Sequence, residues 1–466
     1  MKVYLETMGC QMNQLDSELL AGQLRQAGHE LVAEPASAEV VLYNTCSVRQ
    51  HAEDKVYSRL GEQTKRKLRR QPALVVGVLG CLAQRRGEAI IGQFPGVDIV
   101  CGPGEIDRVV SLIAHAAQTH RPQVAVAPPR RRRTRQADAL ASRRLEAFDL
   151  SLPAPTAAQA FVRVQRGCDK FCAYCVVPHV RGSEQSRDPA AILEEVRRLA
   201  DGGCREVTLL GQTVNSYHHA DGGRTWRLAD LLMLLDAVAG IERIRFVTSY
   251  PADFDHALLQ AMRDLPKVCE YLHIPAQSGS DRILKAMNRK YTAGQYLELI
   301  AAARETVPDI TIAGDFIVGF PGETEEDFEA SCELIRQARY RNSYIFKYSP
   351  RDGTPAAERM IDDVPEADKR RRNRRMLAVQ NAISLEHHTG MLGSVRQVLV
   401  EGPSPRSDRQ PVAAPAGQVQ LQGRTRGDHI VVFDGPPALA GQLAEVRLSA
   451  ATPLALVGRL EEPSGG

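Results

Sequence analysis

The chain carries 466 residues, with 59 lysines and arginines against 56 aspartates and glutamates, a net charge of +3, and 43% apolar residues. That length fits about two to four domains, and the ordinary composition sets aside collagen-like and low-complexity classes. No run approaches the roughly 18 apolar residues of a membrane-spanning helix; the amino terminus lacks a signal-peptide pattern, which suggests a cytoplasmic protein; and ten cysteines in so long a chain do not read as a disulfide framework.

From the amino terminus, residues 3–7, 40–44, 74–79 and 97–100 read as short buried strands, with helices expected over residues 15–26, 52–69 and 105–116. Such alternation predicts a doubly wound parallel sheet with helices on both faces. Cys10, Cys46 and Cys81 each fall just after one of the first three of these strands. In a doubly wound sheet those carboxyl ends line one ligand-binding edge, so cysteines far apart in sequence are expected to converge there. Cys101 follows the fourth strand and is a rival candidate. Residues 118–159 hold Pro122, Pro128, Pro129, Pro153 and Pro155, the run Arg130–Arg133 and many alanines without an apolar period, and read as a linker.

Alternation resumes with strands expected over residues 161–165, 206–210, 243–248, 270–274, 311–318 and 343–347, separated by helical patterns such as 189–200, 228–239 and 325–338. Six such units predict a partial (β/α)6 barrel, whose site is built from loops at the carboxyl ends of the strands. The first loop holds Cys168, Cys172 and Cys175, with Tyr174 just before the last cysteine. Soft thiolates select iron–sulfur clusters or zinc. Three of them leave the fourth iron of a cube open, and an open position marks chemistry rather than scaffolding. A zinc knuckle and three buried thiols are the alternatives. Cys204, Cys269 and Cys332 read as core. A basic helix over residues 366–389 leads to strand-like runs at 395–400, 430–433, 444–448 and 454–460, which predict a small all-β barrel. The expected divisions are 1–117, 118–159, 160–389 and 390–460. Basic runs at residues 65–70, 130–133 and 369–375 leave an RNA partner open, although each alone is more often a solvated surface.

Together, the segments Thr7-Met-Gly-Cys-Gln-Met-Asn, Asn44-Thr-Cys-Ser-Val-Arg, Gly80-Cys-Leu-Ala-Gln and the Cys168 loop resemble the radical S-adenosylmethionine methylthiotransferases over nearly the whole chain. Ser47-Val48-Arg49 with Ala52, and Val176-Val177-Pro178 before Arg181-Gly182, look most like the branch acting on dimethylallyladenosine in tRNA. The resemblance implies two [4Fe-4S] clusters and S-adenosylmethionine as cofactors. Cys168, Cys172 and Cys175 would hold the cluster that cleaves S-adenosylmethionine, and Cys10, Cys46 and Cys81 an auxiliary cluster that carries the sulfur. Cys101 has no counterpart and is assigned to packing.

The resemblance also implies that Gly211, Gln212, Ser249, Tyr174 and Gln277 cradle S-adenosylmethionine. Its partners would be the anticodon arm of tRNA and an electron donor such as a flavodoxin or ferredoxin, and the carboxyl-terminal domain would be an RNA-binding TRAM barrel. Implied chemistry is methylthiolation of carbon 2 of N(6)-dimethylallyladenosine at position 37 of tRNA. Two departures stand out: Thr213 where asparagine is expected, and His179-Val180 where tyrosine and threonine are expected. Arg424, Arg426, Lys369 and Arg371 are the candidates for RNA contact. Asp315 and Glu323 could orient a substrate hydroxyl. Asn13 and Asp16 could face the auxiliary cluster, with capping of the first helix slightly favoured. Sister branches act on threonylcarbamoyladenosine in tRNA or on a ribosomal-protein aspartate; a non-enzymatic iron–sulfur RNA-binding protein is the alternative of a different class.

Overall fold

The computed structural model describes residues 1–47, 50–128, 134–151, 157–405 and 417–461, so Val48, Arg49, Pro129, Pro153, Pro155 and the arginines at 130–133 lie outside the described residues. The amino-terminal domain is a six-stranded parallel sheet built from Lys2–Met8, Glu30–Leu31, Val40–Thr45, Val75–Gly80, Ile99–Cys101 and Gln123–Ala125. Glu30–Leu31 stands at one edge beside Lys2–Met8, and the remaining strands follow in chain order. Val40–Thr45 and Val75–Gly80 are buried along their whole length, as parallel strands covered on both faces must be. The order reverses between Lys2–Met8 and Val40–Thr45, the switch point where such sheets open a crevice beyond their carboxyl ends. That edge is level, because Met8 pairs with Thr45 and Thr45 with Gly80.

The segment read as a linker is structured. Gln123–Ala125 is the edge strand of the first sheet, and Arg135–Ser151 is a helix. Its sequence lacks an apolar period because it buries only Leu145, Phe148 and Asp149 among the described side chains and makes most of its contacts through charge. Arg144 pairs with Glu105 (3.2 Å) and Asp107 (2.9 Å) on the amino-terminal domain. Facing the barrel, Glu146 pairs with Arg187 (3.0 Å) and Asp149 with Arg166 (2.7 Å). Leu145 and Phe148 enter the amino-terminal core. The helix therefore straps the first two domains together.

The central domain has six strands in chain order. Gln159–Arg163, Glu206–Leu210 and Arg243–Phe246 form one parallel sheet, and Tyr271–His273, Thr311–Val318 and Asn342–Lys347 a second. A bridge from Ile244 to Val268 joins them into the expected partial barrel. Helices such as Pro189–Asp201 and Glu325–Ala338 bury apolar faces against one continuous core. Cys204 and Cys332 belong to that core, and Cys269 is likewise buried.

The helix Glu366–Thr389 leads to a closed five-stranded barrel ordered Val395–Pro403, Val419–Arg424, Ile430–Gly435, Leu456–Leu460, Leu443–Ala451. Val419–Arg424 was not expected from the sequence: it offers only Val419 and Leu421 between polar residues and glycine. This small barrel docks on the amino ends of the central strands. Arg243 donates to the Arg424 carbonyl (2.8 Å), Arg245 to the carbonyls of Thr425 and Arg426 (both 2.6 Å), and Thr311 Oγ1 to the Gly427 carbonyl (2.8 Å). It thus lies at the end of the central barrel opposite the cysteine loop. Among the described residues, no helix is long and apolar enough to cross a membrane.

Candidate active site at the domain junction

Cys168, Cys172 and Cys175 lie in a loop whose base is closed by Gln165–Arg166 pairing with Gln185–Ser186. Gly167 sits at φ +71°, and a side chain there would press into the Ser183 carbonyl, so the entry into the loop requires glycine. Two further backbone bonds fix the loop: Cys168 N–H to the Gly182 carbonyl (3.2 Å) and Ala173 N–H to the Met287 carbonyl (2.9 Å). Burial pushes the Cys168 thiol up to about 11. Cys175 is raised by burial and then by Cys172 and Cys168 beside it. Thiols crowded this way resist ionisation until a soft cation shares their charge.

Arg289, which sequence reasoning missed, reaches this loop from 117 residues away. Its Nη1 donates to Cys172 Sγ (3.4 Å), its Nη2 to the Pro275 carbonyl (3.1 Å) and its Nε to Tyr291 Oη (2.8 Å). The guanidinium also lies over the rings of Tyr250 and Tyr291, 4.5 and 5.0 Å from their centroids. No local pattern marks it, because it acts through tertiary contacts alone.

The residues expected to cradle S-adenosylmethionine gather at the carboxyl ends of the central strands. Gly211 and Gln212 follow Glu206–Leu210; a side chain at position 211 would meet Val214 (3.0 Å) and Gln165 (3.1 Å). Ser249 is buried, its N–H bonded to the His273 carbonyl (3.0 Å), while its hydroxyl has no partner among the described residues. A buried orphan hydroxyl is what a ligand would satisfy. Gln277 is held by its N–H to the Asp315 carbonyl (2.7 Å) and by Ile317 N–H to its own carbonyl (3.0 Å). The Tyr174 hydroxyl is kept protonated by burial, near Arg289, Cys172 and Cys175. Thr213, the departure noted above, donates to Glu184 Oε2 (3.4 Å).

Cys10, Cys46 and Cys81 converge at the level edge of the first sheet. Gly80 adopts φ +88°, and a side chain there would press on Asn44 and on the Thr45 carbonyl (2.6 Å), so the chain turns tightly into Cys81. Cys10 is brought down to about 6, first by a hydrogen bond from Cys46, against the effect of burial, and with help from Arg181. Cys81 is raised by burial, with Arg181 opposing. Among the described residues no three His, Cys, Asp or Glu side chains close on a single ion position; a cube asks for less crowding, since each thiolate takes its own iron. Three soft sulfur donors at one level sheet edge fit a cluster. Cys101 instead lies in the core beneath the sheet, its thiol against the Glu105 carbonyl (3.3 Å).

The two cysteine sets face one another across the junction. Cys81 packs against Val176 and, from the short helix Val177–Arg181 that follows the barrel cysteines, Val180. Met12 and Leu15 pack against Leu210 at the end of a central strand. Asp16 is not a helix cap: it is fully buried and accepts from Arg163 (2.6 Å) and Arg181 (3.2 Å), both in the central domain. Nor does Asn13 cap; it bridges to Asn44 Oδ1 (3.1 Å) and accepts from Cys10 Sγ (3.2 Å). Glu323 is spent internally on Gly319 N–H (2.7 Å) and Arg372 (2.8 Å), and Asp315 on His273 (3.1 Å).

Lys369 is a correction. It is buried, paired with Asp362 (2.5 Å) and set over the Tyr348 ring, so it cannot meet RNA. Arg371 is gripped by Glu325 (2.8 Å), Arg424 by Glu401 (2.8 Å) and Asp428 (2.9 Å), and Arg426 by Glu270 (2.6 Å) at the seam between barrels.

A partial barrel with a three-cysteine loop at its carboxyl edge, carrying a second cysteine site on a parallel-sheet domain, defines a radical S-adenosylmethionine enzyme. The sequence model of the Radical SAM superfamily matches residues 162–335, and that of the uncharacterized protein family UPF0004 residues 2–102. The tRNA-2-methylthio-N(6)-dimethylallyladenosine synthase of Rhodopirellula baltica is 46% identical over 98% of this chain and 95% of its own length. That of Methylococcus capsulatus is 44% identical over 98% and 95%. The chain belongs to the tRNA-2-methylthio-N(6)-dimethylallyladenosine synthase family. Among solved structures, the radical S-adenosylmethionine methyltransferase TsrM of Kitasatospora setae shares the fold, with a TM-score of 0.53 at 15% identity over 76% of this chain and 74% of that one.

Proposed function

We propose that this protein methylthiolates carbon 2 of N(6)-dimethylallyladenosine at position 37 of tRNA. The observation that carries the reading is the junction itself: the cysteine edge of the first sheet is clamped over the cysteine edge of the barrel through Asp16, Arg163 and Arg181. Cys168, Cys172 and Cys175 would hold one [4Fe-4S] cluster and Cys10, Cys46 and Cys81 another. When bound, the first supplies one-electron cleavage of S-adenosylmethionine and the second the sulfur to be inserted. No side chain here could activate the C–H bond of an adenine unaided, and such chemistry belongs to cofactors.

The chain's own residues place and insulate. Arg289 fixes the Cys172 sulfur from the far side of the loop. Gly211 lets Val214 and Gln165 pack close to the backbone beside Gln212, while the Ser249 hydroxyl, Gln277 and Tyr174 would offer polar contacts to S-adenosylmethionine. The target base must be splayed from its stack to enter the junction. Phosphate contacts would position the RNA without reading its sequence. On the small barrel, Arg459 is exposed and replaces Arg424 and Arg426 as the candidate, while its cross-strand partner Arg447 is paired with Glu461 (2.5 Å). The reading is of a cytoplasmic protein that meets tRNA there, with a flavodoxin or ferredoxin as the class of electron donor.

An isoprenoid on the base gives an apolar pocket something to bury. At about 0.8 kcal/mol per methylene-sized group, five carbons contribute about 4 kcal/mol. A threonylcarbamoyl group instead brings a carboxylate that needs a cation. The test is reaction of reconstituted protein with tRNAs differing only in the group on that nitrogen, followed by nucleoside mass spectrometry. Product is expected from the dimethylallyl tRNA and little from plain adenosine. Preference for the threonylcarbamoyl tRNA, or for a ribosomal protein, would overturn the assignment.

A further inference from the structure

Arg289 is a buried cation without a carboxylate. It is 9% exposed, and among the described residues no aspartate or glutamate pairs with it. Its donors go instead to Cys172 Sγ (3.4 Å), the Pro275 carbonyl (3.1 Å) and Tyr291 Oη (2.8 Å). Burying a charge is costly unless it is paired. The faces of Tyr250 and Tyr291 supply only the partial negative charge of aromatic rings, and a carbonyl supplies only a dipole. Of the three hydrogen-bond partners, Cys172 alone takes a full negative charge when it binds metal.

The aim of the guanidinium is set from both sides. The Met287 carbonyl accepts from Ala173 N–H (2.9 Å), and Asn288 Nδ2 donates to the Phe171 carbonyl (2.8 Å). The turn that carries Arg289 therefore grips the cysteine loop on either side of Cys172. Tyr291, which accepts from Arg289, donates onward to the Ala276 carbonyl (2.8 Å). A planar fork held this way presents its donors in a set direction. A cube held by three thiolates is anionic and becomes more so on reduction, and hydrogen bonds to sulfur and net charge are among the terms that set its potential.

We propose that Arg289 is the charge partner of the barrel cluster: it donates to the Cys172 sulfur from the segment after the fourth central strand and stabilises the cluster's reduced state. It is a positioning residue, acting through Cys172 and not on substrate. The inference rests on the reading that Cys168, Cys172 and Cys175 hold a cluster. Its effect is confined to that set, since none of Cys10, Cys46 and Cys81 is among its partners.

The test is a potentiometric titration of full-length, reconstituted protein, followed by electron paramagnetic resonance, with the barrel signal assigned by its loss in Cys172→Ala. Arg289→Met and Arg289→Lys are compared with the unaltered protein. Arg289→Met is expected to make the barrel cluster at least tenfold harder to reduce, which is a fall of about 59 mV for a one-electron couple, while the auxiliary cluster keeps its potential. Arg289→Lys retains the charge and should fall by less than tenfold with its barrel iron in place; it carries the test if Arg289→Met does not fold. Loss of barrel iron from Arg289→Met but not from Arg289→Lys would also support the assignment. An unmoved barrel potential in Arg289→Met with iron retained would overturn it, as would a tenfold or greater fall in Arg289→Lys or equal loss of iron from both variants. If Cys172→Ala removes neither iron nor signal, the cluster reading itself fails, and the inference falls with it.

Discussion

Replacing Asp16 with asparagine should loosen the contact between the two cysteine-bearing domains without creating a cavity, since the side chains match in volume. Asp16 is fully buried between Arg163 (2.6 Å) and Arg181 (3.2 Å). Breaking a buried pair by neutralising one partner costs about 3–5 kcal/mol. Arg163 keeps Asp149 at 3.7 Å, so the lower end applies. About 3 kcal/mol is roughly two decades in a docking equilibrium. The assay is hydrogen exchange at the helix Gln11–Gln26, read beside the ratio of methylthiolated nucleoside to 5′-deoxyadenosine. Exchange there should accelerate and the ratio should fall, while cleavage of S-adenosylmethionine continues from the intact barrel site. Unchanged exchange and an unchanged ratio would refute the view that this carboxylate holds the sites together.

Removal of residues from Gly393 onward would strip carbonyl acceptors from Arg243 and Arg245 and Asp428 from Arg341, so a truncation is expected to lose stability in a thermal melt before RNA binding can be read. Charge reversal of the exposed Arg459 avoids this; the slope of log affinity for tRNA against log salt should fall by about 0.7–0.9 per lost contact, and an unchanged slope would exclude it. His387, His388 and His429 cluster where the long helix meets the small barrel, with His387 Nε2 3.1 Å from His429 Nε2. Burial first, then the facing Arg341 and neighbouring imidazoles, holds His429 well below the ordinary range, and His387 and His388 are lowered as well. The unfolded chain binds more protons here, so stability should be lost as pH falls below about 6.5; calorimetry should show that loss, and His429→Asn should blunt it.

The sequence made the sheets legible where strands are buried apolar runs, as at Val40–Thr45 and Val75–Gly80, and it made the cysteines legible because each follows such a run. It was blind where burial is polar. The helix Arg135–Ser151 buries carboxylates against arginines, and the long helix buries Lys369, Arg372, Met376, Gln380, Ile383, Ser384 and His388. That stripe recurs every three or four residues, as one helix face must, but its charged members made it look solvated. Arg181, Asp16 and Arg289 had no local signal because their partners lie more than a hundred residues away.

The central claim is a division of labour between two cysteine sets. The direct measurement is the pair Cys172→Ala and Cys46→Ala, each reconstituted and assayed for iron, 5′-deoxyadenosine and methylthiolated nucleoside. Iron should fall by about half in each if each cube depends on three cysteines. Cys172→Ala should form no 5′-deoxyadenosine, whereas Cys46→Ala should form it and yield no methylthiolated product. A folded Cys46→Ala protein unable to cleave S-adenosylmethionine would contradict the account.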